Sequence, residues 1–194
     1  MSNRAILLLV FGLVSFTAWA QSDSTATRST WFVSIHTGVL AGKTGTGSSV
    51  SATLAQGVRY DRVSLGAGLG YDVYPEWKLL PVFAAVSYDL IRRRNHAFYV
   101  QFDAGYSKAW TSVAEEFQRQ FESDGGYFYH PFVGYRAHHG KVTIYFSAGY
   151  KFQGISYGQT LAWIPWSSWT QPATSMSVER NMERLSIQMG IGLR

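Results

Sequence analysis

Five histidines and no cysteine limit the chemistry this chain can carry. Without thiols it has no disulfide, no thiolate zinc site and no cysteine nucleophile. What remains is serine chemistry, which needs a histidine within reach of a hydroxyl and an acid to orient the ring. His36 and His130 offer a base, and Ser34, Ser107 and Ser186 offer hydroxyls, yet none stands in a compact nucleophile motif. His138-His139 presents two imidazoles, but a metal would need further ligands that the spacing does not supply. An exposed turn accounts for that pair. The chain is therefore expected to hold no catalytic residue, no metal and no cofactor. A second set of residues says more. Arg59, Asp72, Asp89, Asp103, Arg136, Lys151 and Arg184 are charges set in segments otherwise made of apolar and small residues. If enclosed, they must pair with one another, because an isolated buried ion is costly.

The segments that carry these charges alternate with a period of two. Val33, Ile35, Thr37 and Val39 alternate with Ser34, His36 and Gly38. The same rhythm runs through Val63 to Tyr71, Phe98 to Tyr106, Val142 to Tyr150 and Leu185 to Leu193. Val50 to Tyr60, Leu80 to Leu90 and Tyr127 to Ala137 follow it less strictly. Such alternation marks strands with one apolar and one polar face. The expected architecture is all-β, with an even number of strands that lets the first pair antiparallel with the last and removes both edges. Connections alternate too. Short ones fall at Asp61-Arg62, Ile91 to His96 and His138 to Gly140. Longer ones fall at Ala41 to Ser49, Ser112 to Gly125 and Gly154 to Met182, with a brief fourth at Tyr74 to Lys78.

Composition narrows the environment. Of 194 residues, 46% are hydrophobic, 16% aromatic and only 15% charged, against about 25% charged in a soluble domain. The one long apolar run, Ala5 to Ala18, follows Arg4 and precedes Ala18-Trp19-Ala20, a signal-peptidase pattern. Residues 1–20 read as a signal peptide and 21–194 as one domain. The net charge of +5 does not point to nucleic acid in an exported chain.

Alternation alone does not say which face is inside. A soluble lipocalin-like binding protein would line its cavity with the apolar face. Three features favour a transmembrane barrel. The polar face is mostly Gly and Ser. The apolar face carries almost no charge, as lipid contact requires. Aromatic residues cluster at strand ends: Trp31, Tyr60, Tyr88 and Tyr135 at one end, Tyr71, Tyr106 and Tyr150 at the other. Two such girdles suit rings that sit at lipid-water boundaries.

The whole mature chain resembles the small eight-stranded outer-membrane β-barrels of OmpA/OmpX type. The resemblance implies an eight-stranded antiparallel up-and-down transmembrane β-barrel in the bacterial outer membrane, with a lumen filled by polar side chains and no open pore. It implies contact with outer-membrane lipids, lipopolysaccharide and the outer-membrane assembly machinery, and a structural or surface-interaction role. Enzymes that deacylate or palmitoylate lipid A share this scaffold, so a lipid A-modifying activity is the alternative. The family usually ends in an aromatic residue, whereas this chain ends Gly192-Leu193-Arg194. Arg92-Arg93-Arg94 falls on the periplasmic side and suits inner-leaflet headgroups.

Two long connections carry further expectations. Ser112 and Glu115 have capping-box spacing, Val113, Phe117 and Phe121 recur every four residues, and Gly125 is a stop signal, so a short helix is predicted there. In the last connection, residues from Gly154 to Trp163 are expected to extend their strands as a hairpin arm. Trp163, Trp166 and Trp169 then form an apolar patch suited to an extracellular partner or to the lipid interface.

Overall fold

The structure is a computed structural model that describes residues 29–42, 47–111, 119–161 and 174–194. Eight strands follow one another: β1 (Ser29–Ala41), β2 (Ser48–Tyr60), β3 (Val63–Val73), β4 (Trp77–Arg92), β5 (His96–Thr111), β6 (Arg119–His139), β7 (Val142–Leu161) and β8 (Thr174–Leu193). Each pairs antiparallel with the next, and β1 pairs with β8 from Val33↔Leu193 to Ala41↔Leu185 to close the barrel. No edge remains to template association. The proposed signal peptide lies outside the described residues.

One end of the barrel is tightly laced. Asp61 at φ 51° and Gly140 at φ 61° occupy the left-handed region that the two tightest turns demand. At the other end the strands run on. β7 reaches Leu161 and β8 starts at Thr174, paired throughout from Val142↔Leu193 to Leu161↔Thr174. The expected hairpin arm is therefore present as far as Leu161, while Trp163, Trp166 and Trp169 lie outside the described residues. The helix over Ser112 to Gly125 is overturned in its second half. Arg119 onward is strand, with Phe121 opposite Gln159, and Gly125 takes φ 79° at a register shift rather than ending a helix. An isolated helix of this length is marginal, whereas β7 offers a ready ladder of hydrogen bonds. Residues 112–118 lie outside the described set.

Side chains sort cleanly by face. Leu65, Ile144, Val133, Ile187 and Met189 stand on the outer wall, exposed by 44–61%. Ser34, Asp72, Ser87, Asp103, Arg136, Lys151 and Gln188 point inside and are buried. That is the reverse of a lipocalin-like cavity, which places apolar side chains within. The interior is nevertheless less polar than alternation suggested. Phe83, Tyr99, Phe128, Phe132 and Tyr145 also point inward. They fit because glycines face them: a Cβ on Gly134 would lie 2.4 Å from the Tyr99 ring, and one on Gly68 2.4 Å from Phe83.

Candidate functional site

The predicted charges converge inside the barrel in levels. Nearest the tight-turn end, Arg136 on β6 forms an ion pair with Asp89 on β4 and holds its guanidinium 4.9 Å from the centre of the Tyr99 ring. Arg59 donates from Nε to Ser64 Oγ at 3.1 Å and sits 5.7 Å from the Phe32 ring centre. Between these arginines lies a cavity of about 20 Å³ lined by Ser34, His36 and Ser87, room for about one water molecule.

At mid-height, Asp103 accepts a hydrogen bond from Gln101 Nε2 at 2.8 Å and lies 3.8 Å from His130 Nδ1. His130 Nε2 shares a hydrogen bond of 2.6 Å with Ser186 Oγ. Ser186, His130 and Asp103 are thus brought together in the order that nucleophile activation uses. Their setting does not suit that chemistry. All three are buried, and Ser186 is laddered on both sides, to Leu40 and to Gly149. Backbone N–H groups held in the sheet are not free to stabilise an oxyanion. Sequence reasoning raised His130 with Ser186 but found no motif, because the two residues stand 56 positions apart and meet only across β7, between β6 and β8.

Higher up, Lys151 Nζ donates to Asp72 Oδ2 at 2.5 Å and lies 5.2 Å from the Phe128 ring centre. Gln153 donates to Ser107, which donates to the Gly126 carbonyl at 3.2 Å. Above this polar stack sits an apolar cluster that sequence reasoning missed: Leu40, Tyr74, Trp77, Leu79, Ala109, Ile155 and Met182. Arg184 caps it, donating to the Gly47 carbonyl at 2.8 Å and lying 5.5 Å from the Tyr74 ring centre. Burial, with Asp72 close by, pushes the Tyr74 phenol well above its ordinary range. Its signal was present in the parity of Trp77 and Leu79 with Asp89 along β4.

The girdle residues stand on the outer wall. Trp31, Tyr60 and Tyr88 are exposed at the tight-turn end, and Tyr135 there bonds His96 Nδ1 at 2.6 Å. Tyr71, Tyr106 and Tyr150 are exposed toward the other end, where Tyr127 and Tyr129 join them. Of the paired histidines, His138 Nδ1 is engaged by Thr143 Oγ1 at 2.8 Å. Among the described residues, no group of three His, Asp or Glu is placed to hold a metal ion.

No protein-family profile and no curated protein sequence matches the chain. Solved structures do. The crystal structure of neisserial surface protein A (NspA) is similar with a TM-score of 0.57 at 11% identity, over 86% of this chain and 98% of that one. The outer membrane protein AlkL, determined in lipid bilayers, is similar with a TM-score of 0.50 at 11% identity, over 91% of this chain and 94% of that one. With apolar side chains outside, ion pairs inside and no free edge, the chain has the fold of the small eight-stranded barrels of bacterial outer membranes.

Proposed function

We propose that this protein is an integral outer-membrane barrel with a structural or surface-interaction role, closed to solute flow. The observation that carries the reading is the filling of the interior. Ion pairs, buried aromatic rings and the apolar cluster around Trp77 and Leu79 follow one another along the axis, and eight strands leave room for little more than side chains. The outer wall, with Leu65 and Ile187 each 61% exposed, supports placement in hydrocarbon, since a soluble surface does not tolerate so large an apolar expanse. Tight turns on one side and long strand extensions on the other support an N-terminus in the periplasm and loops outside. Purified protein in planar bilayers should show no stable conductance steps. Sustained single-channel openings would overturn the closed-lumen reading.

Lipopolysaccharide and the assembly machinery are the proposed partners of the wall and of the nascent chain. An extracellular partner would be met by the outer loops, with Trp163, Trp166 and Trp169 as anchors. Serine at all three should abolish surface binding and leave heat-modifiable folding intact. Unchanged binding would remove the contact role.

A further inference from the structure

The lumen charges do not balance level by level. Asp72 is taken by Lys151, Asp89 by Arg136, and Asp103 by Gln101 and His130. Asp61, the carboxylate nearest Arg59 in sequence, lies on the surface and pairs with Arg92 at 3.3 Å. Arg184 is held toward the opposite end of the barrel by the Gly47 carbonyl. That leaves Arg59. It is buried, its Nε donates to the neutral hydroxyl of Ser64, and no carboxylate among the described residues pairs with it. The level nearest the tight turns thus sets two guanidiniums, Arg59 and Arg136, against one carboxylate, Asp89. A guanidinium does not shed its proton to escape burial, and a buried cation without a counter-charge is costly.

The excess charge borders the cavity of about 20 Å³, to which every strand from β1 to β7 contributes. Ser34, Arg59, Ser64, Ser87, Gln101 and Arg136 supply its polar lining, and no carboxylate lines it. His36 and Tyr145 are the other ionisable groups there. An imidazole can add only positive charge, and a phenol is neutral at ordinary pH. Arg136 is 2% exposed, and its Nε has no hydrogen-bond acceptor within the protein. Guanidinium, hydroxyl and amide donors therefore converge on a space of monatomic size. A water molecule fits by volume but brings no counter-charge. Phosphate and carboxylates bring the charge but exceed the volume.

We propose that the lumen binds one chloride ion between Arg59 and Arg136, as the counter-ion that no side chain supplies. A spherical anion accepts hydrogen bonds from any direction, which suits donors arriving from several strands, and charge-assisted bonds to guanidinium are the strong ones. The ion is a part of the folded interior rather than a cargo. Because the unfolded chain has no such site, chloride should stabilise the barrel by mass action.

The test is urea unfolding of the refolded barrel in detergent micelles at constant ionic strength, with chloride replacing gluconate, an anion too large for the cavity. Once the site is saturating, each tenfold rise in chloride should raise the folded-to-unfolded ratio about tenfold. Arg59→Gln removes the excess charge and Ser87→Asp supplies a carboxylate at the cavity, so both should lose the chloride response. Ser87→Asp should also exceed the parent in stability in gluconate. Arg92→Gln, an exposed cation on the turn, should keep the response. Heat-modifiable migration verifies that each variant has folded. Independently of any variant, crystals of the parent barrel soaked in bromide should show one anomalous peak between Arg59 and Arg136. A parent indifferent to chloride, a response retained in Arg59→Gln or Ser87→Asp, one lost in Arg92→Gln, or no bromide peak would each overturn the proposal.

Discussion

A lone carboxylate in a segment of alternating small and apolar residues declares its face, because only the inside of a barrel gives it a counter-ion. Asp72, Asp89, Arg136 and Lys151 were legible for that reason, and the structure joins them as Lys151–Asp72 and Arg136–Asp89. Which cation meets which anion was not legible, since the partners sit on strands far apart in sequence. Asp103 illustrates this. Its neighbours are Gln101 and His130 rather than one of the predicted cations. The energetic consequence is testable at Asp72. Asp72→Ala leaves Lys151 buried with its charge uncompensated, which should cost about 3–5 kcal/mol. Asp72→Ala combined with Lys151→Met should recover most of that loss, because the stranded charge is gone. Urea unfolding in lipid vesicles reads both. A double variant no more stable than the single would show that the pair does not act as a unit.

At the level of strands, polar-face glycines carry more information than their small size suggests. Gly134 stands opposite Tyr99, Gly149 opposite Phe132, and Gly68 and Gly105 flank Phe83 from either side. The glycines were read as a thin polar lining, when they are the space into which rings from the neighbouring strand fold. A large inward residue opposite a glycine is the pattern that would have revealed the buried aromatics. Gly134→Ala should therefore destabilise the barrel by about 1–3 kcal/mol through overpacking against Tyr99, and Tyr99→Leu in the same chain should relieve part of it. Equal stability of Gly134→Ala and the parent in vesicle unfolding would defeat this account. The misread segment at Ser112 to Gly125 has the opposite lesson. Capping-box spacing and recurring phenylalanines are local signals, and they yielded from Arg119 onward because the facing β7 strand continues to Leu161. A long-range partner of that kind leaves no local trace.

Across the whole molecule, the five cleanly alternating strands and the even count were enough to specify closure, because an open sheet with that pattern would leave two unpaired edges. The direction of the faces was legible from the scarcity of charge on the apolar side. Where each strand ends was not, since the outer extensions of β6, β7 and β8 lie beyond the alternation that lipid imposes. The same principle gives a depth-resolved test of the barrel's setting. Phe102 and Ile144 are 46% and 44% exposed on the wall, away from the strand ends, and arginine at either should cost about 2–4 kcal/mol if hydrocarbon surrounds it. Val63 is similarly exposed at 38% but opens β3 beside the Asp61-Arg62 turn. Arginine there should cost only about 0–1 kcal/mol, because its head reaches the interface. In water all three would be nearly neutral, so folding yield into vesicles separates the settings directly. Large losses for Phe102→Arg and Ile144→Arg beside a small one for Val63→Arg are the expected outcome. Uniform tolerance at the three positions would mean that the apolar wall meets something other than a bilayer.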